Sequence, residues 1–171
     1  LINIYEATGD FQTAADYYTL LLNDETYRSD DYYLNRAYCY TNLGQMELAE
    51  ADCERYAAAG GADAATADVM MGIGWMRQSE YARADEAFLS ALARGYENPE
   101  ALNYYIVLCS YISEDYARAC EYGDRAVQAI LSGEGGQTAD LRLEEATGKL
   151  KVTLAKTDVS SLCLMTGAAH V

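Results

Sequence analysis

A pair of residues, one large and one small, returns at a fixed interval of 35 along this 171-residue chain. The large member stands at Phe11, Met46, Tyr81 and Tyr116, and the small one three positions later at Ala14, Ala49, Ala84 and Ala119. Further sites keep step: Tyr18, Cys53, Phe88 and Gly123, then Leu21, Tyr56, Ala91 and Ala126. The segment ahead of each pair repeats too, as Ile2, Ala37, Gly72 and Val107, followed three on by Tyr5, Tyr40, Trp75 and Ser110. An interval of this length marks an array of supersecondary units, none of which can hide its apolar face alone. Such a chain has to stack neighbours of one shape.

The clearest unit runs from Asp68 to Asn98. Its two apolar-periodic runs, Thr66 to Arg77 and Tyr81 to Arg94, flank the polar break Gln78-Ser79-Glu80. Met71, Gly72, Trp75 and Met76 recur at helical steps in the first run, as do Tyr81, Ala84, Phe88, Ala91 and Leu92 in the second. The spacing predicts a helical hairpin with one apolar stripe per helix. The same break recurs as Thr8-Gly9-Asp10, Leu43-Gly44-Gln45 and Ser113-Glu114-Asp115, with Gly in the first two supplying the positive backbone angle that ends a helix. Small residues in mid-helix let the axes approach, and large ones opposite fill the space.

The pattern resembles the tetratricopeptide repeat, a helix-turn-helix unit of about 34 residues with an aromatic and a small residue in its first helix and Ala, an aromatic and Ala in its second. Gly72, Trp75, Tyr81, Ala84, Phe88 and Ala91 carry the likeness best, followed by Tyr33, Ala37, Tyr40, Gly44, Ala49 and Tyr56. SEL-type repeats, with extra glycines and a variable period, fit less well. Departures are the spacing of 35, the missing Pro after the second helix, and Ser110 and Gly123 where bulk is expected. The resemblance implies an all-α, right-handed superhelix of hairpins over residues 1–131: a partial repeat 1–29 that lacks most of its first helix, then repeats 30–64, 65–99 and 100–131.

Linkers are expected at Asn23 to Ser29, Ala59 to Ala64, Gly95 to Asn98 and Ser132 to Gln137. The only proline, Pro99, suits the first position of a helix, with Asn98 as its cap. Beyond Leu131 the character changes: Ser132 to Gln137 reads as a flexible break, every lysine follows it, and no tyrosine does. Thr138 to Lys156 is expected to form a capping helix with Leu143, Ala146, Leu150 and Leu154 as its stripe, although Lys-Leu-Lys-Val-Thr-Leu also alternates as a strand would. Weak order is expected from Thr157 to Val171.

Composition excludes several functions. A formal charge of -15 argues against nucleic acid or an anionic membrane surface as the main partner and favours a basic one. The apolar run Val159 to Ala169 is well short of the roughly 20 residues of a membrane span. No signal peptide is visible, and a cytoplasmic setting is expected; because the chain starts at Leu1 in what reads as the second half of a helix, a fragment is expected and an upstream signal or anchor stays open. The five cysteines show no metal-ligand spacing and read as reduced core, against a Cys39–Cys53 or Cys109–Cys120 disulfide. The single His170 leaves imidazole chemistry nothing to use, and Gly148-Lys149 lacks the rest of a phosphate loop. Asp30-Asp31 and Glu144-Glu145 read as surface charges. No enzyme activity, cofactor or metal is expected.

In the resembled geometry the first helices line a concave groove. Its non-core face would show Leu34, Tyr38, Thr41 and Asn42, then Val69, Ile73, Met76 and Arg77, then Tyr104, Leu108 and Tyr111, with Asn3 and Glu6 at the edge. A groove so apolar and aromatic suits a peptide or helix with apolar anchors and basic flanks. Some members grip a carboxylate with Lys, Arg and Asn on this face, but only Asn35, Asn42 and Arg77 are available here. The other readings are occlusion of the groove by the chain's own tail and a self-associating, homo-oligomeric scaffold within a larger, extracytoplasmic protein.

Overall fold

The structure, a computed structural model, describes residues 2–131, 139–146 and 149–156, with side chains as far as Ala126. Eight helices run in series among the described residues: α1 (Ile2–Ala7), α2 (Phe11–Asn23), α3 (Asp31–Leu43), α4 (Met46–Ala58), α5 (Ala64–Arg77), α6 (Tyr81–Ala93), α7 (Pro99–Ile112) and α8 (Tyr116–Leu131). They pair as hairpins, α1 with α2 through α7 with α8, and each hairpin packs on the next. The array is all-α.

The turns explain why the hairpins are alike. The residue after each short turn donates its backbone N–H back to the carbonyl five residues earlier, from Asp10 to Tyr5, Gln45 to Tyr40, Glu80 to Trp75 and Asp115 to Ser110, all at 2.8–2.9 Å. The position before it is left-handed in every turn, with φ of 79° at Gly9, 73° at Gly44, 64° at Ser79 and 63° at Glu114. Two of the four thus hold that conformation without glycine, at a steric cost. Asp10 and Asp115 also accept from the N–H three residues on, at 3.2 Å, capping α2 and α8. Pro99 opens α7 as expected, but Asn98 makes no side-chain capping bond.

Packing follows the small-against-large rule. Ala14, Ala49, Ala84 and Ala119 are fully buried. A Cβ built on Gly72 would stand 2.5 Å from the Phe88 ring, and one on Gly74 would stand 2.4 Å from the Met46 methyl. Backbone therefore touches side chain, at a separation only glycine permits.

The expected capping helix over Thr138 to Lys156 is not what forms. Residues Ala139–Ala146 (β1) and Lys149–Lys156 (β2) pair antiparallel, with Leu143 opposite Val152. The alternation of Lys-Leu-Lys-Val-Thr-Leu and its β-branched pair favour a strand, and Gly148 disfavours a continuous helix. Backbone contacts bring β2 to α5 and β1 to α7. The expectations of a flexible break over 132–137 and of weak order over 157–171 fall outside the described residues.

Candidate functional site

The face named from sequence divides by helix. On α3, Leu34 and Tyr38 are buried, and the Tyr38 ring meets Phe11 edge-on at 5.8 Å. Thr41 is buried too, donating to the Ala37 carbonyl at 2.9 Å, and the half-buried Asn42 donates its amide to the Tyr38 carbonyl at 2.9 Å. On α5, Val69 and Ile73 are buried, Met76 is half-buried and Arg77 is exposed. On α7, Tyr104, Leu108 and Tyr111 are all half-buried.

The physical reason for the uneven division lies in α5. Its residues from Val69 through Trp75 are buried without interruption, so the middle of the helix is covered beyond one stripe, while Met76 and Arg77 at its end keep access. Besides α6 within its own hairpin, α5 packs on α3 and α4 of the hairpin before it and meets strand β2. Tyr104, Leu108 and Tyr111, at steps of four and three on one face of α7, keep partial access.

The edge residues are placed differently from one another. Asn3 is exposed, whereas Glu6 is buried and accepts from the Tyr18 hydroxyl at 2.8 Å and the Cys39 thiol at 3.8 Å. Asn35 lines a cleft of about 560 Å³ with Ile2, Tyr17, Leu20, Leu21 and Tyr32. Asn35, Asn42 and Arg77 thus have separate tasks, with Asn42 already bonded within its own helix.

Charged ties between repeats escaped the sequence reading. Arg83 on α6 meets Glu50 on α4 at 2.8 Å, and one period later Arg118 on α8 pairs with Asp85 on α6. Both members of the pair recur at an interval of 35, so the repeat period held the signal. Ser110, short where bulk is expected, donates to the buried Asp85 at 3.2 Å. Its counterpart Trp75 is covered by the Arg83 guanidinium at 3.4 Å from the ring centroid. A hydrogen bond thus stands in for volume. Arg36 grips the buried Asp52 with two bonds of 2.7 Å and donates to Thr19 at 2.8 Å, joining α2, α3 and α4. That bond to Asp52 holds the Arg36 guanidinium above its ordinary pKa.

Cys39, Cys53, Cys109 and Cys120 are unbridged, and Cys163 lies outside the described residues. Burial pushes the Cys109 thiol up to about 12, with Asp85 adding to it. Among the described residues there is no cluster of His, Cys, Asp and Glu able to hold a metal, and no helix long and apolar enough to cross a membrane.

The tetratricopeptide repeat model matches residues 1–64 and 69–133, covering the whole run of hairpins. The chain belongs to the tetratricopeptide repeat (TPR) family. TPR arrays generally mediate protein–protein interaction and are typically non-catalytic. Among solved structures, the crystal structure of BtubC (BKLC) from P. vanneervenii is similar at 18% identity and a TM-score of 0.59, over 99% of this chain and 69% of that one. At that identity the likeness concerns the fold. No curated protein matches the chain.

Proposed function

We propose that this TPR array is a non-catalytic interaction module that takes a peptide or helix with apolar anchors and basic flanks across α3, α5 and α7. The observation that carries the reading is the row of Tyr104, Leu108 and Tyr111, half-buried along one face of α7. Tyrosine and leucine in such a row give a partner rigid contact area with polar tips. In this proposal Asn42, Met76 and Arg77 are the accessible members of the face on α3 and α5, and Leu34, Tyr38, Val69 and Ile73 are buried. The acid excess supports basic flanks on the partner. Titrating a basic amphipathic peptide against the parent protein and Tyr104→Ala/Tyr111→Ala should show about a tenfold or greater loss in the variant. Equal affinities would remove the α7 face from the proposal.

A second reading, a self-associating scaffold, draws on Ile4 and Leu20, which are 61% and 65% exposed near the cleft at the first hairpin. Light scattering over a concentration series tests it. A monomer throughout would leave it without support.

A further inference from the structure

Between α4 and α6, over α5, lies a cleft of about 250 Å³. It is smaller than the roughly 300–1,000 Å³ of sites for drug-sized ligands, and suits one long side chain. Met71 and Trp75 from α5, with Ala57 and Ala87 from the walls, make its surface partly apolar. Both cations in the lining are occupied: Arg83 lies over Trp75 and meets Glu50, and Arg94 meets Asp68 at 2.8 Å. Two exposed carboxylates, Glu54 on α4 and Glu86 on α6, line opposite walls and take part in no ion pair among the described residues. The field within is negative. The Cys53 thiol in the lining is raised first by burial and then by Asp68, Asp52, Glu50 and Glu54.

The repeat itself does not require this combination. One period later Leu89 and Ser110 replace Glu54 and Trp75, and one period earlier Thr19 and Tyr40 do. Thr19 and Leu89 carry no charge, so Glu54 belongs to this interface and not to the packing code. Apolar walls beneath unneutralised carboxylates match an aliphatic stem that ends in a cation.

We infer that the α4–α6 cleft is a second binding site, separate from the α7 face, for a lysine- or arginine-bearing segment of a partner protein, with the stem along Ala57 and Ala87 and the charged head between Glu54 and Glu86. Trp75, the chain's single tryptophan, lines the cleft beneath the Arg83 guanidinium, so its fluorescence is a local reporter that responds when Arg83 is displaced or its surroundings change.

The test is a titration of the intact protein with an acetylated, amidated lysine–alanine peptide, followed by tryptophan fluorescence, beside a glutamine–alanine peptide of equal length. The lysine peptide should give a saturable change that the glutamine peptide lacks. Glu54→Gln/Glu86→Gln, both exposed and free to change without unfolding, should weaken it about tenfold. The exposed pair Glu25→Gln/Glu97→Gln removes the same charge elsewhere and should leave it within about twofold. Tyr104→Ala should also leave it intact, which keeps this site distinct from the α7 face. No saturable change, or an equal loss in both charge variants, would overturn the inference, since the latter means diffuse attraction to an acidic surface.

Discussion

Gly72 faces the Phe88 ring so closely that an added Cβ would lie 2.5 Å from one of its carbons. The contact joins the two helices of the third hairpin at mid-length, where the ring is fully buried. Gly72→Ala therefore has to displace a packed aromatic ring and should destabilise by about 1–3 kcal/mol. Urea unfolding measures the loss; an unchanged midpoint would contradict the close approach.

The left-handed turn positions predict gains as well as losses. Ser79 and Glu114 carry side chains where Gly9 and Gly44 do not. Ser79→Gly and Glu114→Gly should each stabilise by about 0.5–1 kcal/mol, and Gly44→Ala should cost about 1 kcal/mol. Thermal melts of the three variants check the sign.

Asp85 supplies a pH dependence. Burial raises its carboxyl above the ordinary range, against the opposing hydrogen bonds and charge of Arg118 and Ser110. Its partner Arg118 is raised as well, because the hydrogen bond to Asp85 favours the charged guanidinium. The two directions have different leading causes, desolvation for the acid and pairing for the base. Since the fold holds the Asp85 proton more tightly than the unfolded chain does, its contribution is fully present below the unfolded value of about 3.9 and is lost as pH rises through the folded one. Asp85→Asn cannot titrate. The stability of the parent minus that of the variant should fall as pH rises above about 4, and a rising difference would contradict the burial argument.

Thiol reactivity should separate the cysteines. In a Cys163→Ser background at about pH 8, iodoacetamide should modify the half-buried Cys120 first. Cys39, Cys53 and Cys109 are buried, and burial raises the last two. Mass spectrometry of timed samples reads the order, and rapid modification of Cys109 in the folded protein would run against it.

Much of the array was legible because one interval governs both helices and the turn. The hairpin of Tyr81 and Phe88 starts within two residues of its expected place, with α5 opening at Ala64 and α6 at Tyr81. Periodicity cannot show how many sides of a helix are covered, so Val69 and Ile73 read as an open face although both are buried on a helix that meets α3, α4, α6 and β2. Nor does it reveal that Ser79 and Glu114 adopt a backbone angle usually signalled by glycine. The tail differs for another reason: over so few residues, Leu150, Val152 and Leu154 fit the period of a strand as readily as Leu143, Ala146 and Leu150 fit a helix. The Glu54 and Glu86 carboxylates stand 32 residues apart in sequence and share a cleft only once α4 and α6 are side by side.

Serial stacking of hairpins underlies both binding proposals, and nuclear Overhauser contacts among methyl and aromatic protons test it most directly. Contacts should join adjacent hairpins around the pairs Gly44 and Gln78, Glu50 and Arg83, and Asp85 and Arg118, which stand 34, 33 and 33 residues apart, with none running from α2 to α7 or α8. Strong contacts between the first and last hairpins would mean helices gathered about one centre, and neither the α7 face nor the α4–α6 cleft would then exist as described.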